Sequence, residues 1–191
     1  MLHELIKKNR SYRRFHQEVR IEQNVLRELV DGARLCPSAA NKQPLKYVLV
    51  SDPDVCREVF PCLAWAGYLT NWPGPKEGER PSAYIIILSD RTLNPKPHTD
   101  VGIAAQTILL GAVEKGYGGC LIGSIRRKQL QQILGLPEHL EIELVTALGK
   151  PKETVEIETV EADDDIKYWR DEREVHHVPK RRLDDIIIGQ F

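Results

Sequence analysis

Cysteine, methionine and aromatic residues are scarce in this chain: its 191 residues include 4 Cys, 1 Met, 3 Trp and 3 Phe, and only 6% are aromatic. Cys36, Cys56, Cys62 and Cys120 form no C-x-x-C pair and have no His at ligand spacing, which argues against a zinc site or a redox dithiol. Cys36 and Cys120 sit in apolar runs and read as small buried hydrophobes. His176 and His177 are adjacent but lack an H-x-x-x-H partner, so no metal site is expected. An excess of one charge is missing too. With 27 Lys and Arg against 28 Asp and Glu the net charge is -1, which gives no global field for nucleic acid or an anionic membrane. Any basic function must be local. The longest apolar stretch, around Val101 to Val113, is interrupted by Thr and Gln and is too short to cross a bilayer. The opening MLHELIKKNRSYRRF carries charges throughout, unlike a signal peptide. The expectation is a cytoplasmic protein with no membrane and no nucleic-acid partner.

What is present suits one globular domain spanning 1–191, with 41% hydrophobic and 29% charged residues. Leu26, Leu29, Val30 and Ala33 mark one face of a helix that Pro37 stops. Tyr47 to Val50 reads as a buried strand. Asp52-Pro53 supplies an N-cap and first-turn proline for a helix through about Phe60. Ala83 to Leu88 is a continuous apolar strand covered on both faces. The helix from about Asp100 to Lys115 is apolar around nearly its whole circumference, which predicts burial in the domain or in a subunit interface. A Gly-rich strand from Gly118 to Ser124, a short helix to Leu134 and a strand from Leu140 to Leu148 follow. Strands alternating with helices predict a three-layer α and β domain. Residues 150–174 turn acidic and aperiodic, cannot build a core alone, and lead to the apolar Ile186 to Ile188. Such a tail needs a surface, which a dimer partner could provide.

Four segments could carry chemistry. Lys7, Lys8, Arg10, Arg13, Arg14 and Arg20 crowd the N-terminal region with Ser11 among them, and guanidinium donors match phosphate oxygens. A solvated basic loop is the plainer reading. Pro37-Ser-Ala-Ala-Asn-Lys-Gln-Pro44 offers small residues and two amides for the edge of a flat ligand, or is a plain helix-to-strand connection. In Tyr117-Gly-Gly-Cys-Leu-Ile-Gly-Ser124, Gly123 sits at a strand end where ligands commonly bind. Pro179-Lys-Arg-Arg182 is a second basic cluster, which converges with the first on one phosphate or stays a separate solvated patch.

Taken in order, NRSYRRF at 9–15, PSAANKQP at 37–44, D-x-G-x-A-x-Q from Asp100 to Gln106, GYGGCLIGS at 116–124, ILGLPE at 133–138 and PKRRLDDII at 179–187 resemble the nitroreductase family of flavin enzymes. The resemblance implies an α+β fold, a three-layer α/β/α sandwich, with residues from about 150 to 191 extending as a tail over the partner of a homodimer. It implies FMN as cofactor, with the phosphate gripped by Arg10, Ser11 and Arg13, joined by Lys180 and Arg181. Pro37, Ser38, Ala39 and Asn41 match the stretch that reaches the flavin from the other subunit. Leu121, Ile122 and Gly123 match the strand end facing the isoalloxazine ring. Asn9 stands where many relatives have a basic residue, and Ile122 where some have Glu. The segment 63–81 is expected to cover the substrate pocket.

The implied chemistry is ping-pong transfer of reducing equivalents from NAD(P)H through flavin N5 to an electron-poor acceptor such as a nitroaromatic or quinone. The cofactor carries that reaction, so no catalytic side chain is expected. The alternatives are a specialised relative, such as a reductive dehalogenase or enoate-type reductase, and a non-catalytic flavin-binding redox sensor.

Overall fold

The run Ala83–Asp90 is the centre of the molecule. In the computed structural model, which describes residues 1–191, it forms β3, and its first seven residues are buried. Its side chains alternate between two cores, as the two-residue period of a strand requires. Tyr84, Ile86 and Leu88 point to one cluster, while Ala83, Ile85 and Ile87 point to the other. A strand buried on both faces has no polar positions to alternate with, which is why its sequence is continuous.

Around β3 lies an antiparallel sheet. Its strands are β1 (Phe15–His16), β2 (Leu45–Val50), β4 (Gly118–Ile122) and β5 (Leu140–Pro151), in the order β1-β5-β3-β2, with β4 also paired to β5. One face is covered by α3 (Pro53–Val59) and α5 (Arg127–Ile133), which contribute Cys56, Val59 and Leu130. The other face is covered by α2 (Gln23–Arg34) and α4 (His98–Glu114), which contribute Leu26, Leu29, Ala104, Ile108 and Ala112. The result is a mixed α+β, three-layer arrangement. α1 (Leu2–Lys8) packs on α4. The cap of α3 forms as its sequence predicts, Asp52 accepting from the backbone N–H groups of Asp54 at 2.8 Å and Val55 at 3.1 Å. The apolar α4 buries only one side in this chain; Val101, Ile103, Leu110 and Val113 are half-buried.

The acidic stretch after residue 150 is more ordered than its composition suggests. β6 (Val155–Val160) runs parallel to β8 (His176–Arg181), and β7 (Trp169–Arg170) pairs antiparallel with β8. This small sheet does not make its own apolar core; buried polar groups fasten it to the N-terminal segment, described below. Beyond α6 (Leu183–Ile186), Ile188 and Phe191 are fully exposed, as is much of Leu183 and Ile186. No helix is long and apolar enough to cross a membrane.

Candidate functional site

The N-terminal basic segment is held against the main sheet by close approach of backbone. Tyr12 N–H donates to the Gly119 carbonyl at 3.1 Å, and Ser11 forms a parallel bridge with Gly119. A Cβ on Gly119 would stand 2.3 Å from the Ala147 carbonyl oxygen, and one on Gly149 would stand 2.7 Å from the Phe15 ring. A Cβ on Gly118 would stand 2.6 Å from the Tyr12 ring, so Gly118 and Gly149 leave the room in which residues 11–15 sit, while Gly119 lets β4 lie close to β5. Gly123 differs: a Cβ there would meet nothing closer than Leu144 at 3.9 Å. Its surroundings within the chain are open.

So seated, the segment forms one wall of a cavity of about 360 Å³. Arg10, Ser11 and Arg13 come from the N-terminus, Gln106 and Leu109 from α4, and Leu121 from β4. Tyr168, His176, Val178 and Lys180 close it from the C-terminal segment. No carboxylate lines it, and Arg10, Arg13 and Lys180 have no ion-pair partner. Arg10 keeps one bond, from Nη2 to the Ile6 carbonyl at 2.7 Å, while its Nε is buried without a partner. Burial pulls its guanidinium below the usual range, although Tyr12 acts the other way.

His176 is fully buried, and its Nε2 lies 3.1 Å from Arg13 Nη1. Because a guanidinium only donates, Nε2 must accept, which puts the imidazole proton on Nδ1. Nδ1 is itself buried and unpartnered. Burial, followed by Arg13, Arg170 and His177, pushes the imidazole down to about 4, so it is neutral at pH 7. Arg13 also lies 4.8 Å over the Tyr168 ring. The Tyr168 ring tilts against His176 at 5.2 Å and against Tyr68 at 4.9 Å, and its hydroxyl accepts from Tyr68 N–H at 3.3 Å. Through Tyr68 the segment 63–81 reaches the cavity wall.

One residue away the charges are arranged differently. Arg14 grips Glu79 through two bonds of 2.8 and 2.9 Å and also reaches Glu174 at 2.6 Å. Lys152 adds a contact to Glu79 at 3.3 Å. Glu153, its side chain 1% exposed, pairs with Arg170 and accepts from the backbone N–H groups of Arg13 and Arg14. The hydrogen bond from Arg14 leads in holding the Glu79 carboxyl down to about 2. This network ties residues 13–14, the end of the 63–81 segment, and the C-terminal sheet together.

The residues of 37–44 lie elsewhere in the chain. Asp100, buried at the start of α4, accepts from Ser38 Oγ at 2.6 Å and Ala39 N–H at 3.1 Å. Ala40, Asn41 and Gln43 have φ of 50°, 53° and 48°. Left-handed backbone at three non-glycine positions is strain of the kind that gathers at functional sites. Pro37 and Ser38 line a separate cavity of about 230 Å³ with Cys36, Tyr47 and Asp100.

Of the residues singled out in the sequence, Arg10, Ser11, Arg13, Leu121 and Lys180 therefore meet on one cavity, and Pro37, Ser38, Ala39 and Asn41 do not join them within the chain. The Ile122 side chain turns into the core beside Val145, so only its backbone is available to a ligand. Arg181 departs from expectation. On β8, His176, Val178 and Lys180 share the cavity face, and the strand's alternation sends Arg181 to the other side, where it donates to the Ala162 carbonyl. Cys36 is half-buried beside Thr107 rather than buried. Cys120 is buried, its thiol pushed up to about 12, so it is no nucleophile at neutral pH. The sequence was read for His176 only as a metal ligand and not for Tyr168; the signal at His176 was its i, i+2 alternation with Val178 and Lys180 on β8.

An acceptor-rich, doubly charged group fits this cavity: three cations have no carboxylate partner, Arg10 Nε and His176 Nδ1 are buried without an acceptor, and the Ser11 hydroxyl is beside them, while Leu109, Leu121 and Val178 give apolar wall. A phosphate monoester on an otherwise largely apolar molecule has that character.

The model of the nitroreductase family matches residues 6–150. A protein of Archaeoglobus fulgidus described as a candidate NADH dehydrogenase/NAD(P)H nitroreductase is 29% identical over 169 residues, covering 84% of this chain and 91% of that protein. Among solved structures, an FMN-dependent nitroreductase from Clostridium difficile R20291 superposes with a TM-score of 0.64 at 26% identity, covering 78% of this chain and 87% of the other. An NADPH:FMN oxidoreductase from Vibrio harveyi in complex with NAD+ gives 0.62 at 26% identity, covering 80% and 69%.

Proposed function

The chain belongs to the nitroreductase family of oxidoreductases, and from that premise we propose that it is an FMN-dependent enzyme that oxidises NAD(P)H and reduces an electron-poor small molecule such as a nitroaromatic or quinone. The observation that carries the reading is the convergence of Arg10, Arg13 and Lys180, none paired to a carboxylate, on one cavity. Three like charges around one confined space repel one another, and an anion bound among them would offset that repulsion.

In this reading Arg10, Ser11, Arg13 and Lys180 hold the FMN phosphate, and His176 is a positioning residue that fixes the Arg13 guanidinium by accepting from it. Leu121 and the backbone of Ile122 and Gly123 face the ring, where the open space around Gly123 lets backbone approach it. Bound there, FMN would take reducing equivalents from NAD(P)H and, after the nicotinamide leaves, give them to the acceptor in ping-pong fashion. The chain's part is to bind, orient and exclude water; no side chain serves as nucleophile or general base.

The site is completed in a homodimer, with Pro37, Ser38, Ala39 and Asn41 of one subunit meeting the cavity of the other. Support comes from the strained 40–43 backbone standing apart from the chain's own cation cavity, and from the exposed Leu183, Ile186, Ile188 and Phe191. Exposed apolar groups in such number suit an interface. On this account 1–191 is one nitroreductase-like domain, cytoplasmic, whose residues from about 150 onward extend to the partner subunit. Tyr68, touching Tyr168, makes 63–81 a cover of the pocket.

The test is direct. Purified protein should be yellow or take up about one FMN per chain, its absorbance should bleach with NADH or NADPH without oxygen, and a nitroaromatic or quinone should restore it. A protein that does not take up FMN overturns the reading. Flavin that NADH and NADPH leave oxidised would make it a redox sensor, and reduced flavin that neither acceptor reoxidises would point to a more specialised acceptor.

A further inference from the structure

A second group of unpartnered polar atoms lies on the α3 side of the main sheet, away from the cation cavity. Where α3 meets residues 77–82 there is a cavity of about 100 Å³ whose wall includes Arg20, Arg57, Arg80, Ser82 and Tyr84, with the exposed Glu77 beside them. Ser82 and Tyr84 are 3% and 0% exposed, and both hydroxyls are buried with no hydrogen-bond partner. Arg80 Nε is likewise buried and unpartnered.

The arrangement is not a loose surface patch. Arg80 N–H donates to Gln17 Oε1 at 3.1 Å, and its guanidinium lies 4.3 Å over the Phe60 ring. Arg57 is neutralised by Asp54, whereas Arg20 and Arg80 have no carboxylate within ion-pair distance. Buried polar groups left unpaired are costly and rare, and three of them on one cavity call for a guest. Guanidinium groups only donate, and both hydroxyls are free to donate, so the guest must be rich in acceptors. The volume would hold about three waters at about 30 Å³ each or one small oxyanion. Water would satisfy the orphaned donors but leave Arg20 and Arg80 opposed only by Glu77; an oxyanion answers both.

We propose that this cavity is a second anion site, independent of the cofactor, that takes a small inorganic oxyanion of the phosphate or sulfate class and pins the end of the 63–81 segment to α3. Its occupant bridges Arg80, Ser82 and Tyr84 on one side and Arg20 on the other, so that binding orders the exit of the segment whose other end reaches the cofactor cavity. The proposal does not depend on the identity of the cofactor.

The test is thermal unfolding of protein saturated with FMN, titrated with inorganic phosphate or sulfate against chloride at matched ionic strength. Each oxyanion should raise Tm with the logarithm of its concentration above its Kd, by about 3–6 °C at ten times its Kd for a chain of this size. Arg80→Met should abolish the response, and Tyr84→Phe and Ser82→Ala should each weaken it about 3- to 10-fold while leaving the oxyanion-free protein as stable as the parent, since each removes an unpaired hydroxyl. Glu77→Gln should strengthen it. Arg13→Ala should leave it intact; a response lost in Arg13→Ala and kept in Arg80→Met would place the anion in the cofactor cavity and overturn the proposal. So would a response no larger than that to chloride, which would mean water fills the cavity. If the protein fails to take up FMN, the same contrast between Arg80→Met and Arg13→Ala still decides the question.

Discussion

Arg13 and Arg14 are neighbours in sequence and opposites in environment. Arg14 faces Glu79 and Glu174 in a network where each charge has a partner, and the Glu79 and Glu153 side chains are only 7% and 1% exposed. Arg13 faces Arg10 and Lys180 across a cavity with no carboxylate, with only a neutral imidazole and a carbonyl to donate to. Arg13 lines the cavity while Arg14, the next residue, turns to Glu79 and Glu174, so one segment supplies both. The paired side is a fastening that holds the N-terminus, the 63–81 segment and the C-terminal sheet in one body. The unpaired side is where the cofactor is proposed to bind, because charge left uncompensated by the fold is available to a ligand.

The largest expected effect breaks the paired side. Glu79→Ala leaves Arg14 and Lys152 short of their shared, almost buried partner, and losing one member of a buried pair typically costs about 3–5 kcal/mol. Because Arg14 keeps Glu174, about 3 kcal/mol is expected, read by urea unfolding of the FMN-free protein. A loss below about 1 kcal/mol would mean the network is no more than surface charge.

Next comes the cavity. Arg13→Ala and Lys180→Ala should each weaken FMN binding by about 1.5–3 kcal/mol, the range for hydrogen bonds to charged groups. Riboflavin, lacking the phosphate, should bind weakly and be nearly indifferent to both. Arg181→Ala, one residue along β8 but on its other face, should change FMN affinity by less than about 0.5 kcal/mol. Equal losses at 180 and 181, measured by flavin fluorescence titration, would show that the alternation of β8 does not decide which side chain meets the phosphate.

The two sides should also separate along pH. Glu79, held at about 2 in the fold, stays ionised after an unfolded carboxyl near 4.5 has taken its proton. Its contribution is therefore complete above about pH 4.5 and lost as pH falls toward 2. His176, held down to about 4, resists a proton that the unfolded imidazole accepts near 6.5, so stability falls between about pH 6.5 and 4. FMN bound as proposed would set negative charge beside Arg13 and His176 and offset the Arg13 contribution, while the burial that leads in holding the imidazole neutral would remain. It should narrow the upper window and leave the lower one unmoved. Unfolding curves at several pH values, with and without FMN, would show both windows moving together if the distinction is false.

How much of this was readable from sequence follows the same division. Helices α2 and α3, and the buried β3, were legible because burial there is local: apolar residues recur with the period of their own element, and Asp52 caps within three residues. Arg10, Ser11, Arg13 and Lys180 could be singled out as basic clusters. That they meet was implied only by the family resemblance, and the pairing of Arg14 could not be read at all, because Glu79 and Glu174 lie 65 and 160 residues from it and no periodicity links them. The stretch from 150 to 174 reads as unable to build a core alone, and its order is invisible in the sequence because its fastening is ionic rather than apolar. Arg181 and Lys180 are indistinguishable until the register of β8 assigns each a face. His176 acts as an acceptor only because its burial keeps it neutral, and burial is not written at one position.

The smallest effect gives the sharpest contrast. In the absence of FMN, Lys180→Met should change stability by no more than about 0.5 kcal/mol, the usual range for a position outside any network, and its sign should be favourable. Lys180 has no ion-pair or hydrogen-bond partner to lose, and removing it takes one of three like charges from the rim of a single cavity, while the methionine keeps an unbranched apolar stem of similar length. Salt should erase the gain, since screening acts on repulsion across an open cavity. The same substitution should make FMN binding weaker, so one change would stabilise the empty protein and impair the loaded one. If Lys180→Met instead destabilised the FMN-free protein by an amount comparable to Glu79→Ala, Lys180 would be part of the fastening, and the division between the two faces of the N-terminal segment would not hold.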